Sequence, residues 1–134
     1  MIKKSIFVLL VIGINKIRFF FSAENGYNST RHLLTLKEPP TAIFTLGNFI
    51  SLGYKKSLKE AGLNIPGDMS LIAYDEQIYS QFLATPLTTI KQPIEDMANS
   101  TVNMLMQLVR NKKPEQHKII LHPEIIMRDS LGYK

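Results

Sequence analysis

Asp75 and Glu76 stand side by side directly after the apolar run Ser70 to Tyr74, and carboxylates at such a position can do two kinds of chemistry. As a pair they could serve as acid and base. Neighbours in sequence at a strand end, however, do not face each other across a scissile bond as glycosidase carboxyls must. Singly, an ionised Asp75 can accept two hydrogen bonds from adjacent sugar hydroxyls, or it can serve as an ordinary turn or capping aspartate. The other reactive side chains form no recognisable constellation. His32, His117 and His122 lie in no HExxH-like arrangement, and the absence of cysteine excludes disulfides and thiolate metal sites. There is no GxSxG elbow, no GxxxxGK[ST] phosphate loop and no GxGxxG turn after a strand. With no nucleophile, base and orienting group to place together, the chain reads as a non-enzyme without metal or cofactor.

The elements that would position Asp75 follow from periodicity. Ser22 can cap a helix running to Leu36 with Tyr27, Leu33, Leu34 and Leu36 as its apolar contacts, and Pro39-Pro40 stop it. Thr41 to Thr45 is short, β-branched and apolar, a buried strand. After Leu46-Gly47, Asn48 is placed to cap a second helix with Ile50, Leu52, Tyr54, Leu58 and Ala61 on its inner side, and Gly62 ends it. Following the Pro66-Gly67-Asp68 turn, Ser70 to Tyr74 is a second buried strand that delivers Asp75 at its C-terminal end. Strand, helix, strand implies a right-handed parallel crossover.

Leu87 to Ile90 is again extended. Pro93 suits the first turn of a helix reaching about Arg110, with Ile94, Met97, Ala98, Thr101, Leu105, Leu108 and Val109 at helical spacing. The stretch Asn111 to Pro114 breaks it, and Lys118 to Leu121 and Glu124 to Arg128 form two short β-like runs around Pro123. In an open parallel sheet, ligands sit beyond the C-terminal strand ends, where Asp75, Gly47 and Asn48 all fall. Asn48 there is a ligand contact or a pure helix cap.

At 134 residues, 45% of them hydrophobic and 20% charged, the chain fits one domain with a real core. The formal charge of +5 comes from Lys and Arg scattered from Lys3 to Lys134 with no basic stripe, so it reads as solubility charge rather than a nucleic-acid footprint. Lys3 and Lys4 precede an apolar run from Ile6 to Ile14, and Ser22 and Ala23 follow Phe19 to Phe21. That is signal-peptide grammar, although a continuous Ile/Val/Leu run also suits a buried parallel strand or an interrupted reading frame. The run is about half the roughly 20 residues a membrane-spanning helix needs.

The order of the pieces resembles one family. Phe21-Ser22-Ala23-Glu24-Asn25-Gly26-Tyr27, Pro40 to Phe44, Leu52-Gly53, Leu58-Lys59-Glu60-Ala61-Gly62, Ile65-Pro66 to Asp68, Ala73-Tyr74-Asp75, Pro86 to Ile90, Gln92-Pro93 and Arg128-Asp129-Ser130 recur in that order in lactose-repressor (LacI/GalR) relatives. The resemblance covers residues 19–134, and residues 1–18 have no counterpart. It implies an α/β fold: a parallel sheet flanked by helices, in an incomplete periplasmic-binding-protein-like core made of the C-terminal lobe and one helix of the N-terminal lobe. It implies a cytoplasmic transcription regulator that senses a small, sugar-like effector, dimerises, makes no membrane contact, and touches DNA only through a headpiece that nothing in these residues matches.

By the same resemblance Asp75 holds the effector, Phe21 forms an aromatic wall of the pocket, and Leu52 and Leu83 line the dimer interface. Phe21 otherwise reads as core, as do the two leucines. Gly47 departs from the family's usual Asn-Asp, which passes any contact to Asn48 or to backbone N–H groups. Gln92 falls where relatives cross between lobes. The chain would then return near Thr89 to Pro93 to a lobe it does not contain, leaving the 94–110 helix without its partner. Exposing each large apolar side chain forfeits roughly 1.5–3 kcal/mol. Alternative readings are an exported periplasmic sugar-binding protein and a ligand-free interaction remnant.

Overall fold

The computed structural model describes residues 6–9, 22–110 and 117–132. Five strands form one sheet in the order in which they occur: β1 (Ile6–Leu9), β2 (Ala42–Thr45), β3 (Ser70–Tyr74), β4 (Thr88–Lys91) and β5 (Glu124–Ile126). The first four are parallel and β5 runs antiparallel to β4. The apolar run near the N-terminus thus contributes a parallel strand over residues 6–9, and the rest of it lies outside the described residues. Helix α1 (Ala23–Leu34) connects β1 to β2, and α2 (Asn48–Glu60) connects β2 to β3. Because strand order follows chain order, right-handed crossovers put both helices on one face of the sheet. There they pack side by side.

Local chemistry sets the element ends. Ser22 caps α1 with its Oγ accepting from the Asn25 N–H at 3.2 Å, and Glu24 and Arg31 sit at the helix ends that favour their charges. Asn48 is not the cap of α2. Gly47 takes that position in extended backbone, its carbonyl receiving the Ser51 N–H at 3.1 Å and the Ser51 hydroxyl at 3.0 Å, which leaves Asn48 as the first helical residue. Gly62, at φ +71°, lets the chain leave α2 through the left-handed region.

The helices approach closely through two glycines. A Cβ on Gly26 would lie 2.2 Å from the Ile50 carbonyl oxygen, and one on Gly53 would lie 1.8 Å from that of Ala23. No other residue fits at these two crossing points. Beneath the pair, Ile50, Tyr54 and Leu58 of α2 meet Leu33 of α1 and the inward residues Ile43, Leu71 and Ala73 of the sheet. Leu52, expected inside, faces outward because it lies off the stripe that runs through residues 50, 54 and 58, and Ala61 is exposed because it is the C-cap beyond the last turn of α2. On the opposite face of the sheet Phe44 and Tyr74 meet edge to face, with centroids 6.3 Å apart.

Helix α3 (Ile94–Val109) follows β4 and has no buried residue. Its apolar stripe, including Ile94, Leu105, Leu108 and Val109, faces solvent among the described residues, as the resemblance implied. Of the two β-like runs near the C-terminus only 124–126 forms a strand. Residues 118–121 have the pattern of a strand, but none of the described strands pairs with them, and an extended segment without a ladder partner is not a strand.

Candidate functional site

The C-terminal ends of β2, β3 and β4 open onto the same edge of the fold. Asp75, the first residue past β3, adopts φ +74°, a left-handed conformation that among L-residues Asp and Asn tolerate best. Its N–H donates to the Ile90 carbonyl at 3.0 Å, and its Oδ1 accepts from the Gln92 side-chain amide. The carboxylate opposite fixes the amide orientation, since Gln92 must turn Nε2 toward it and leave Oε1 for another donor. No second partner holds the other Asp75 oxygen among the described residues.

Glu76 is spent differently. Arg128 grips it bidentately, Nη2 to Oε1 at 2.6 Å and Nη1 to Oε2 at 3.0 Å, while the Thr89 hydroxyl donates to Oε2. Both side chains are largely covered. The guanidinium holds the Glu76 carboxyl below its ordinary range, with burial opposing and Thr89 assisting, and Glu76 in turn raises Arg128. The adjacent carboxylates therefore have separate roles. Both Glu76 oxygens are engaged by Arg128 and Thr89, whereas Asp75 keeps one oxygen without a partner among the described residues.

Asp75 borders two clefts. One, of about 590 Å³, is lined by Leu46, Gly47, Asn48, Phe49, Leu52, Gln77 and Tyr79 together with Asp75. The other, of about 440 Å³, passes between Asp75, Glu76, Lys91 and Gln92, the first turn of α3 with Glu95 and Asp96, and His122 and Glu124. The first combines an apolar wall with one carboxylate and the amide of Asn48, the usual balance for holding a small polyhydroxyl compound. The second is strongly acidic.

Of the residues singled out from sequence, the structure brings Gly47, Asn48, Leu52 and Asp75 around one cleft, with Gln92 bonded to Asp75. Leu52 is 39% exposed, whereas Leu83 is partly buried against the core away from that cleft. Phe21 lies outside the described residues. Arg128 was noticed only as part of a motif, and Phe49 and Tyr79 not at all. Phe49, 65% exposed, follows a strand-end turn, and a large apolar residue two places after such a glycine is the signal that would have found it.

The fold and site describe a periplasmic-binding-protein-like domain, and comparison with known proteins agrees. The family model for the periplasmic binding protein-like domain matches residues 14–131. The HTH-type transcriptional repressor PurR of Pectobacterium atrosepticum is 36% identical over 112 residues, covering 84% of this chain and 33% of the relative. A LacI-family regulatory protein from Chloroflexus aggregans superposes with a TM-score of 0.76 at 35% identity, over 87% of this chain and 42% of that one. A LacI-family transcriptional regulator from Enterococcus faecium, solved with bound ribose, gives 0.73 at 30% identity, over 84% and 41%. The chain belongs to the LacI/GalR family, matching the effector-binding domain of its regulators. It spans about a third of the length of the curated relatives it matches.

Proposed function

We propose that this chain supplies one wall of the effector pocket of a cytoplasmic, non-enzymatic transcription regulator. Residues 19–134 form the effector-binding portion, and Asp75 is the group that holds a sugar-like ligand. The observation that carries the reading is the division of labour at the end of β3, where Glu76 is neutralised by Arg128 while Asp75 keeps an oxygen directed at open clefts. Gln92 adds an acceptor beside it, and Asn48 and Gly47 line the cleft that Asp75 borders. A ligand with two neighbouring hydroxyls matches that edge. The ribose held by the Enterococcus faecium relative is a compound of this kind.

Dimerisation falls to exposed apolar side chains such as Leu52, and to Leu83, where a self-complementary contact would cover side chains otherwise in water. DNA contact belongs to a headpiece in the length of the relatives that this chain does not match.

A site built from one lobe covers a ligand on one side only, so the chain alone binds ribose weakly, with Kd on the order of millimolar. Titration of the 15N-labelled chain with ribose should move the Asp75, Gln92 and Asn48 resonances together, and Asp75→Ala should abolish the shifts. Unchanged titration of the alanine variant would remove Asp75 from the site. Micromolar affinity would overturn the one-sided pocket.

A further inference from the structure

We propose that Arg128 and Glu76 are positioning residues for the Asp75 carboxylate, so that the C-terminal segment of the chain is a working part of the ligand site. The ligand half of this rests on the function proposed above; the conformational half does not. Asp75 at φ +74° is in a sparsely populated region of backbone space, and such a residue keeps its conformation only where its surroundings over-determine it. Upstream, the Asp75 N–H is tied to Ile90 of β4 at 3.0 Å. Downstream, the next residue is gripped by Arg128 at 2.6 and 3.0 Å. Releasing Glu76 would free the turn on that side.

Arg128 is itself fixed to β4. Its backbone N–H donates to the Thr88 hydroxyl at 2.9 Å, that hydroxyl donates back to the Arg128 carbonyl at 3.0 Å, and Nη1 reaches the Leu87 carbonyl at 2.7 Å. The segment Leu87 to Gln92, which contains β4, therefore holds Asp75 three ways: through the Ile90 carbonyl, through the Gln92 amide, and through Arg128 on Glu76. The pair has an electrostatic consequence too. With Glu76 bound to a guanidinium, the strand end offers a ligand one free carboxylate; without Arg128 it would offer two adjacent ones, which repel each other and compete for the same donors.

Arg128→Met, Arg128→Lys and Glu76→Gln in the full 134-residue chain test this, alongside the exchange variant E76R/R128E. The first readout needs no ligand. A positive φ gives a strong intraresidue amide-to-Hα NOE at Asp75, and that NOE should weaken in Arg128→Met and in Arg128→Lys, which keeps the charge but not the two-pronged geometry. Resonances of Ile50, Tyr54 and Leu58 in α2 should stay in place. The exchange variant should restore the NOE. The second readout is ribose affinity, expected to fall about tenfold or more in Arg128→Met. If Arg128→Met does not fold, Glu76→Gln, which preserves shape and removes the charge, carries the same comparison. An Asp75 NOE that is unchanged in Arg128→Lys and Glu76→Gln overturns the proposal. Failure of the unmodified chain to bind ribose overturns the reading of the site, while the NOE still decides whether the pair positions Asp75.

Discussion

Gly53 of α2 and Ala23 of α1 are in backbone contact: the position a Cβ would take on Gly53 is 1.8 Å from the Ala23 carbonyl oxygen. Both helices carry the residues that bury Ile43 and Leu71 of the sheet, so their separation sets how the whole layer packs. Gly53→Ala cannot be accommodated by moving a side chain, because the obstacle is backbone. It should destabilise the chain by roughly 2–4 kcal/mol in urea titration, more than ordinary overpacking. Gly67→Ala, whose new Cβ would meet nothing nearer than 3.7 Å, should shift the midpoint little. Equal midpoints for the two variants would contradict the close crossing.

Glu76 gives the chain a defined acid sensitivity. Arg128 depresses its carboxyl in the folded state, so its contribution is complete above the unfolded carboxyl's pKa of about 4.3 and is lost as pH falls through the lower folded value. Urea midpoints followed from pH 7 downward should show the unmodified chain and Glu76→Gln well separated at neutral pH and converging in acid. A gap that stays constant to low pH would mean that the pair contributes nothing through ionisation.

Tyr54 poses the opposite case. Its ring is fully buried, its hydroxyl has no hydrogen-bond partner among the described residues, and burial pushes its pKa upward. Removing an unsatisfied buried hydroxyl leaves the packing and relieves a desolvation cost. Tyr54→Phe should be as stable as the unmodified chain or more so, by up to about 1 kcal/mol in urea. A clear loss of stability would reveal a partner for that hydroxyl.

Helix α3 should behave as a passenger in this chain. With no residue buried, Leu105→Ser and Leu108→Ser should each change global stability by less than about 0.5 kcal/mol, while Leu58→Ala in the core costs roughly 2–5 kcal/mol. Hydrogen exchange should show α3 amides opening well before those of α1 and α2. Full protection of α3 would mean that the stripe is covered in solution.

The parts of this fold legible in sequence are those governed by local rules. Ser22 as a cap, Gly62 as a stop, the alternation through Ile43 and Thr45, and the delivery of Asp75 at a strand end each follow from a few neighbouring residues. What was misread depended on the phase of a helix or on partners far along the chain. Leu52 has the composition of a core residue, yet its angular position opposite Ile50, Tyr54 and Leu58 turns it out, a misreading of local phase. Residues 118–121 have strand composition without a strand to join. In the site, Asp75 was visible because it follows a buried parallel strand immediately, where ligands sit, and because the family resemblance marks it. Arg128 was not, since 52 residues separate it from Glu76 and no local pattern announces the pairing.

Ser130 joins the segment after β5 to the middle of the sheet. Its hydroxyl donates to the Leu71 carbonyl at 2.6 Å and accepts the Thr88 N–H at 2.8 Å, closing separations of 59 and 42 residues. Contacts so distant in sequence form late, and a chain made from its N-terminus exposes β3 and β4 to the ribosome's surroundings before the segment that seals them exists. The sheet therefore stays unsealed until Ser130 has been made, and removing the segment around it would leave an open seam between β3 and β4 in the middle of the core.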